Sequence, residues 1–135
     1  MILAEAGLFT GRDSRYFLGG VMADDIIYIN VDEGLNRVMK NSVLYNKLLG
    51  KFKNDTAIND IENAFAQGDT EKAKVSSHTL KGLAANLSFS ELYKQVLELE
   101  TQFKAGAFNN EQMALVRTTY DRTLLEIDKV INSYV

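Results

Sequence analysis

Apolar residues recur every three or four positions through most of the chain, a spacing that places them on one face of an α-helix. The C-terminal run is the most regular and consists of Met113, Val116, Tyr120, Leu124, Ile127, Ile131 and Tyr134. Earlier runs comprise Leu44, Leu48, Leu49, Phe52, Ile58, Ile61 and Phe65, and then Phe89, Leu92, Val96, Leu99 and Phe103. The 135 residues contain no proline, so no ring interrupts a helix. The pattern predicts amphipathic helices packed around one core.

Capping signals divide these runs into separate helices. Asn41 or Ser42 starts a long helix, in which residues 54–56 mark either a new cap or a kink. Gly68 ends that segment and Asp69 caps the next helix, which covers about residues 70–87. Pairs with the spacing of a capping box are Asn30 with Glu33, Ser88 with Glu91, and Asn109 with Gln112. The first pair predicts a short helix over residues 32–39, and Gly106 ends the helix that follows Ser88.

Short loops between helices make neighbours antiparallel, so the expected fold is all-α: an up-down four-helix bundle with a short N-terminal helix in front. Residues 26–29 are apolar, but no second β-like run exists to pair with them, and we interpret them as a lead-in that packs on the bundle. Residues 1–21 hold four of the nine glycines and no sustained period. They are interpreted as an irregular leader, a linker or an added segment, and residues 22–135 as the domain. The alternative is an ordered extension that covers apolar surface with Phe9, Tyr16 and Phe17.

The composition of the chain excludes several classes of function. The chain has no cysteine, which excludes disulfides, thiolate chemistry and Cys-based zinc sites. A net charge of −3 gives no reason to expect nucleic-acid binding. No apolar run approaches the roughly 18 residues of a membrane span, and the first residues do not resemble a signal peptide. We therefore expect a soluble, cytoplasmic monomer without direct membrane contact, or a cytoplasmic piece of a larger protein.

The single histidine lies in the helix over residues 70–87. His78, Lys81, Gly82 and Ala85 share one face of that helix, whereas the apolar face is formed by Ala73, Ser76, Leu80, Leu83, Ala84 and Leu87. The imidazole is therefore expected to face away from the core. Helical side chains lean toward the N-terminus, so the residue at i+4, here Gly82, has no side chain to cover the ring. A mid-helix glycine costs about 1 kcal/mol relative to alanine, and a steric use would explain it.

Most chemical roles for this histidine are disfavoured. One histidine without cysteine cannot supply the three or four ligands of a zinc site. Ser76 and Ser77 point to other sides of the helix than His78, and no orienting carboxylate is evident, which disfavours a hydrolytic dyad. A nucleophilic imidazole remains, since its ordinary pKa of about 6.5 leaves much of it neutral near pH 7. Lys81 and, one turn earlier, Lys74 add positive charge for an anionic group or an acidic partner. The plain alternative is a surface histidine without a role.

The segment Ser77-His78-Thr79-Leu80-Lys81-Gly82 resembles the histidine-containing phosphotransfer (HPt) domain family, whose pattern is Ala-His-x-Leu-Lys-Gly followed by small residues, an apolar residue and Gly. The resemblance covers roughly residues 24–135. Two positions differ: Ser77 replaces a common alanine, and Ser88 replaces the usual glycine and is expected to serve as a helix cap.

The resemblance implies a phosphorelay intermediate. His78 would accept a phosphoryl group at Nε2 from the aspartyl phosphate of a response-regulator receiver domain and pass it to another receiver. Lys81 would supply charge to the phosphoryl group and Gly82 steric clearance. The chain has no Gly-rich nucleotide loop, in line with a carrier that has no ATP site and binds no cofactor or metal. Magnesium is expected on the receiver.

The resemblance also implies a docking surface for receiver domains and for a hybrid sensor histidine kinase. Its expected residues are Lys74, Val75, Ala85 and Glu100. Glu100 matches a position that faces the histidine in some members of the family, and is otherwise a solvated carboxylate. A competing hypothesis is an adaptor that binds a signalling partner through the same face without phosphorylation.

Overall fold

The structure, a computed structural model, describes residues 26–133 in full and the backbone of residues 17–18 and 21–22. Its helices are α1 (Val31–Arg37), α2 (Ser42–Phe52), α3 (Ala57–Gln67), α4 (Thr70–Leu87), α5 (Ser90–Lys104) and α6 (Asn110–Ser133). The predicted helical class is confirmed for residues 26–133. None of the helices in the described part of the chain is long and apolar enough to cross a lipid bilayer.

The core lies among the longer helices and is lined by the apolar faces that the periodicity predicts. α4 packs against both α3 and α5, α5 packs against α6, and α2 also reaches α6. Core residues on α5 and α6 are Leu92, Val96, Leu99, Phe103, Met113, Val116, Tyr120 and Ile127. The buried face of α6 also includes Thr119 and Thr123. Hydropathy alone does not predict these residues in a core, because each carries a hydroxyl group. The Thr123 hydroxyl donates to the Thr119 carbonyl at 2.7 Å, which satisfies it inside the helix.

Most of the predicted helix boundaries are confirmed by the hydrogen bonds at the caps. Side chains that accept from a backbone N–H three residues later are Asn30, Asn41, Asp69 and Asn109. Gly68 ends α3 in the left-handed conformation, with φ at 65°. Residues 54–56 separate two helices and are not a kink. Thr56 is the N-cap residue of α3, but its side chain makes no capping hydrogen bond; the Asp55 carboxylate instead accepts from the Ala57 N–H at 2.8 Å.

The expected cap at Ser88 is wrong. Ser88 ends α4 in the left-handed conformation, with φ at 63° and ψ at 40°, and no side chain caps α5 at its N-cap residue, Phe89. Ser88 is only 3% exposed, and its hydroxyl has no hydrogen-bond partner in the described residues. For a residue with a Cβ this conformation costs roughly 1–2 kcal/mol. This is the physical reason why glycine suits the position.

Ser88→Gly is expected to raise the free energy of unfolding by about 1 kcal/mol. The variant removes backbone strain and a buried unpaired hydroxyl, and the greater conformational freedom of glycine in the unfolded chain offsets part of that gain. Urea denaturation measures the change. Ser90→Gly, at an exposed position inside α5, is the control and should give no gain. A less stable Ser88→Gly variant would contradict the strained conformation.

α1 lies against α2 and the end of α4. A Cβ added to Gly34 would clash with the Tyr45 hydroxyl and ring, so glycine is what permits this approach. Tyr45 is buried, and its hydroxyl donates to the Leu87 carbonyl at 2.9 Å. The Asn30 N–H donates to the Ser88 carbonyl, also at 2.9 Å. The short first helix is therefore fixed to the end of the histidine helix.

The lead-in over residues 26–29 is neither helix nor strand and packs on the bundle, as predicted. Ile29 lies against the core, and the Arg122 guanidinium carbon lies 5.1 Å from the centre of the Tyr28 ring. Before it comes a feature that the sequence analysis missed: strands β1 (Phe17–Leu18) and β2 (Val21–Met22) pair antiparallel. In the sequence, a Gly-Gly pair of the kind that favours tight hairpins stands between them. The predicted boundary between residues 21 and 22 falls within β2 and stays a prediction. The rest of the predicted leader, with the Phe9 and Tyr16 of the alternative, lies outside the described residues, as does Tyr134.

Candidate functional site

α4 presents His78 away from the core, as predicted. The His78 side chain is 72% exposed, whereas Leu80 and Ala84 on the same helix are fully buried. One detail of the helical face is wrong: Ser77, and not Ser76, is the serine on the buried face. The Ser77 hydroxyl donates to the Lys74 carbonyl at 3.1 Å, so it is satisfied locally and does not pair with the imidazole.

A carboxylate from α5 lies beneath the imidazole and joins three basic side chains. Glu100 Oε2 lies 3.0 Å from His78 Nδ1, and Glu100 Oε1 lies 2.6 Å from Lys81 Nζ. Lys104, one turn further along α5, places its Nζ 3.9 Å from the same Oε2. Glu100 is only 2% exposed, so this carboxylate is inside the protein while the imidazole above it is in solvent.

The surroundings of Glu100 keep it ionised. Burial raises its pKa, but hydrogen bonds from Lys81 and His78, with the charges of Lys81 and Lys104, outweigh burial and leave the pKa lowered. The ionised form therefore stabilises the fold above the ordinary glutamate pKa, and this contribution is lost as pH falls through the lowered value. A carboxylate only accepts hydrogen bonds, so a neutral His78 pairs with it through an Nδ1–H. In that tautomer Nε2 carries the lone pair.

Glu100 faces His78, as the resemblance implied, but the expectation that it helps to form the docking surface is wrong. A residue 2% exposed has almost no surface to offer a partner, so Glu100 is not part of a docking surface and is not a solvated carboxylate. It positions His78. The sequence held a signal for this, because Glu100 shares the buried face of α5 with Val96, Leu99 and Phe103. An acidic residue in a core stripe needs a charged or hydrogen-bonding partner.

The other predicted residues lie on the surface of α4. Gly82 is exposed, and a Cβ added there would meet no atom within 4 Å, so the packing of this chain does not require glycine. Val75 is exposed and Ala85 half-buried. Lys74 Nζ lies 2.9 Å from Glu71 Oε2, an ion pair on one side of the helix.

A cleft of about 370 Å³ extends the histidine face toward the end of α4. Ala85 forms part of its wall, Arg37 and Glu33 line it from α1, and Tyr93 lines it from α5. Tyr93 is 38% exposed at the edge of this cleft. The cleft thus brings α1 and α5 together beside the end of α4, and its Ala85 wall lies roughly 10 Å along the helix from His78. Among the described residues, no cluster of three or more His, Cys, Asp or Glu side chains could hold a metal ion.

The family model described as Hpt domain matches residues 49–132. That range contains His78, Lys81, Gly82 and Glu100, with all of α3, α4 and α5, whereas α1 and most of α2 precede it. Neither the curated proteins nor the solved structures gave a match.

Proposed function

The chain belongs to the Hpt domain family, which has a general role as histidine-containing phosphotransfer domains of phosphorelays, and we propose that His78 is its phosphoryl-accepting residue. The observation that carries the proposal is the arrangement of one ring: Nδ1 faces a buried, ionised carboxylate, and the rest of the imidazole is in solvent. This arrangement favours an Nε2 lone pair directed at another protein. The donor would be the aspartyl phosphate of a receiver domain.

In the proposed reaction, the Nε2 lone pair of His78 attacks the phosphorus atom. The Nε2–P bond forms as the bond from phosphorus to the aspartate oxygen breaks, and the aspartate leaves as a carboxylate. The proton stays on Nδ1, where Glu100 stabilises the positive charge that develops on the ring. Transfer to a second receiver reverses these steps. The chain's contribution is mainly position and charge, which phosphoryl transfer requires most, and the magnesium ion belongs to the receiver.

The test is to incubate the chain with a panel of phosphorylated receiver domains and to follow the label. The expected product is an acid-labile, alkali-stable phosphate that maps to the peptide containing His78. Label at another residue, or an acid-stable ester, would contradict the proposal. In the same proposal the chain is a cytoplasmic monomer with the antiparallel up-down topology of a four-helix bundle, and its partners are receivers and a hybrid sensor kinase. Residues 1–21 have no part in it, and a large loss of stability on their deletion would contradict that.

Gly82→Ala is expected to make the protein more stable but slower in phosphoryl transfer. Since the added methyl meets open space, the helix should gain about 0.5–1 kcal/mol. Transfer from a receiver should nevertheless slow by roughly three- to tenfold, because the methyl lies where the partner approaches His78 and displaces the reacting atoms. Urea denaturation and single-turnover label transfer measure the two effects.

Gly50→Ala is the matched control for this prediction. Gly50 lies inside α2, and a Cβ there also meets no atom within 4 Å. The control should therefore gain similar stability with no change in transfer. Equal transfer rates for both variants would show that Gly82 provides no clearance.

A further inference from the structure

The segment over residues 34–54 is basic, although the chain as a whole is acidic. It contains five Lys and Arg residues and no Asp or Glu, whereas the full sequence has 15 Lys and Arg against 18 Asp and Glu. Lys40, Lys47 and Lys51 are exposed, and none of them has an ion pair in the described part of the chain. The net charge of −3 therefore conceals a local positive surface.

These lysines lie beside the two most exposed large apolar side chains of the described residues. Val43, Lys47 and Lys51 recur every four positions, on the face of α2 opposite its buried face. Val43 is 78% exposed, and Met39, four residues before it, is 92% exposed. Together with Lys40, which adjoins Met39, these residues form a surface that we name the α2 strip.

The corner between α1 and α2 exposes Met39 through an unusual backbone. Met39 and Lys40 both have positive φ, 56° and 61°, in the left-handed region that favours glycine. The Lys40 N–H donates to the Leu35 carbonyl at 2.7 Å, which closes α1 in this conformation. The corner thus places an apolar side chain in solvent beside the start of α2, at a cost in backbone strain.

The composition of the α2 strip favours a lipid surface over a protein partner. Interfaces between proteins are enriched in aromatic residues and Arg and depleted in Lys, but the strip has three lysines and neither an aromatic residue nor an Arg. An anionic membrane surface attracts lysines without requiring a fixed geometry, and exposed apolar side chains beside them can enter the headgroup region. The lysine stems can lie along the same boundary.

We propose that the α2 strip binds reversibly to an anionic membrane surface. Lys40, Lys47 and Lys51 contact the headgroup phosphates and carboxylates, and Met39 and Val43 enter the boundary between headgroups and acyl chains. The proposal revises the expectation of no direct membrane contact, because that expectation rested on the absence of an apolar run long enough to span a bilayer. It goes beyond the proposed phosphotransfer and does not depend on it.

The strip and His78 face different ways, so both can be used at once. Leu83 of α4 lines a groove together with Leu48 and Phe52 of α2, so this side of α4 faces α2. Leu83 follows His78 by five residues, which is about 140° around the helix. A chain bound to a membrane through the α2 strip therefore keeps its imidazole open to another protein.

The test is sedimentation of the full chain with vesicles of phosphatidylcholine, with and without about one third phosphatidylserine. We expect binding to the anionic vesicles alone, and weaker binding as salt is raised. Lys47→Gln and Lys51→Gln should each weaken binding by roughly fivefold, and Met39→Ser with Val43→Ser by roughly tenfold. Circular dichroism checks that each variant is folded.

The matched controls are Lys72→Gln and Lys94→Gln, which remove exposed lysines that also lack an ion pair in the described residues but lie on α4 and α5. They should bind the anionic vesicles as the wild type does. Equal losses in the controls and in the strip variants would overturn the proposal, because net charge alone would then explain binding. No sedimentation with anionic vesicles would overturn it as well, and weaker receiver binding by Lys47→Gln would then assign the strip to an acidic protein. Since no phosphorylation is involved, failure of the proposed function is a separate result.

Discussion

His78→Gln is expected to abolish phosphoryl acceptance from receiver domains while leaving the fold intact. The glutamine amide has no nucleophilic nitrogen, so no N–P bond can form. The cost to stability should stay within about 1 kcal/mol, because the His78 side chain is 72% exposed and Glu100 keeps its shorter contact with Lys81. Label transfer from a phosphorylated receiver and urea denaturation measure the two effects.

The same variant decides between a phosphocarrier and an adaptor. If His78→Gln retains both receiver binding and signalling output, the adaptor hypothesis is correct and the phosphoryl chemistry is not used. If it retains binding but loses output, the chain works as a carrier. Thr79→Gln is the control, since Thr79 is an exposed neighbour on α4, and it should preserve transfer. Equal labelling of wild type and His78→Gln would show that His78 is not the acceptor.

The sequence predicts helices and their starts well because both depend on nearby residues. A carboxylate or amide oxygen three positions before a free N–H is enough to place a cap, and Asn30, Asn41, Asp69 and Asn109 all do so. Ser88 has the same local signal but ends a helix. Its left-handed backbone closes α4 through the Phe89 N–H, which donates to the Ala84 carbonyl at 2.8 Å, and its own carbonyl accepts from the Asn30 N–H, a contact that a local pattern does not contain.

The site is predictable only in part for the same reason. Helical spacing along one helix places His78, Lys81 and Gly82 on an outward face, because those positions share a helix. Glu100 lies 22 positions from His78, and their contact depends on how α4 and α5 pack. The acidic residue in the buried stripe of α5 shows that some partner exists, but periodicity does not say which one.

Glu100→Gln is expected to slow phosphoryl acceptance by roughly 10- to 100-fold, because it reverses the tautomer of His78. Lys81 can only donate, so the glutamine carbonyl should turn toward Lys81 Nζ and its NH₂ group toward His78 Nδ1. An Nδ1 that accepts a hydrogen bond carries no proton, which puts the proton on Nε2 and blocks the lone pair. A hydrogen bond to a charged group contributes about 1.5–3 kcal/mol, and losing that much stabilisation of the transition state slows a reaction by roughly 10- to 100-fold. Single-turnover transfer measures the rate, and ¹⁵N shifts of the imidazole identify the protonated nitrogen.

A double variant separates the tautomer from a simple loss of charge. In Glu100→Gln with Lys81→Met, the ammonium of Lys104 remains near the amide, on the side of the oxygen that faces His78. The glutamine carbonyl can therefore turn toward His78, accept from Nδ1–H and restore part of the transfer rate. The single Lys81→Met variant leaves Glu100 buried without its closest cation. The pKa of Glu100 should therefore rise, and the free energy of unfolding of this variant should fall. The two changes should therefore be strongly non-additive, as expected for groups that share one network. Additive losses, with ¹⁵N shifts that keep the proton on Nδ1 in every variant, would show that Glu100 acts through charge alone and does not select the reactive nitrogen.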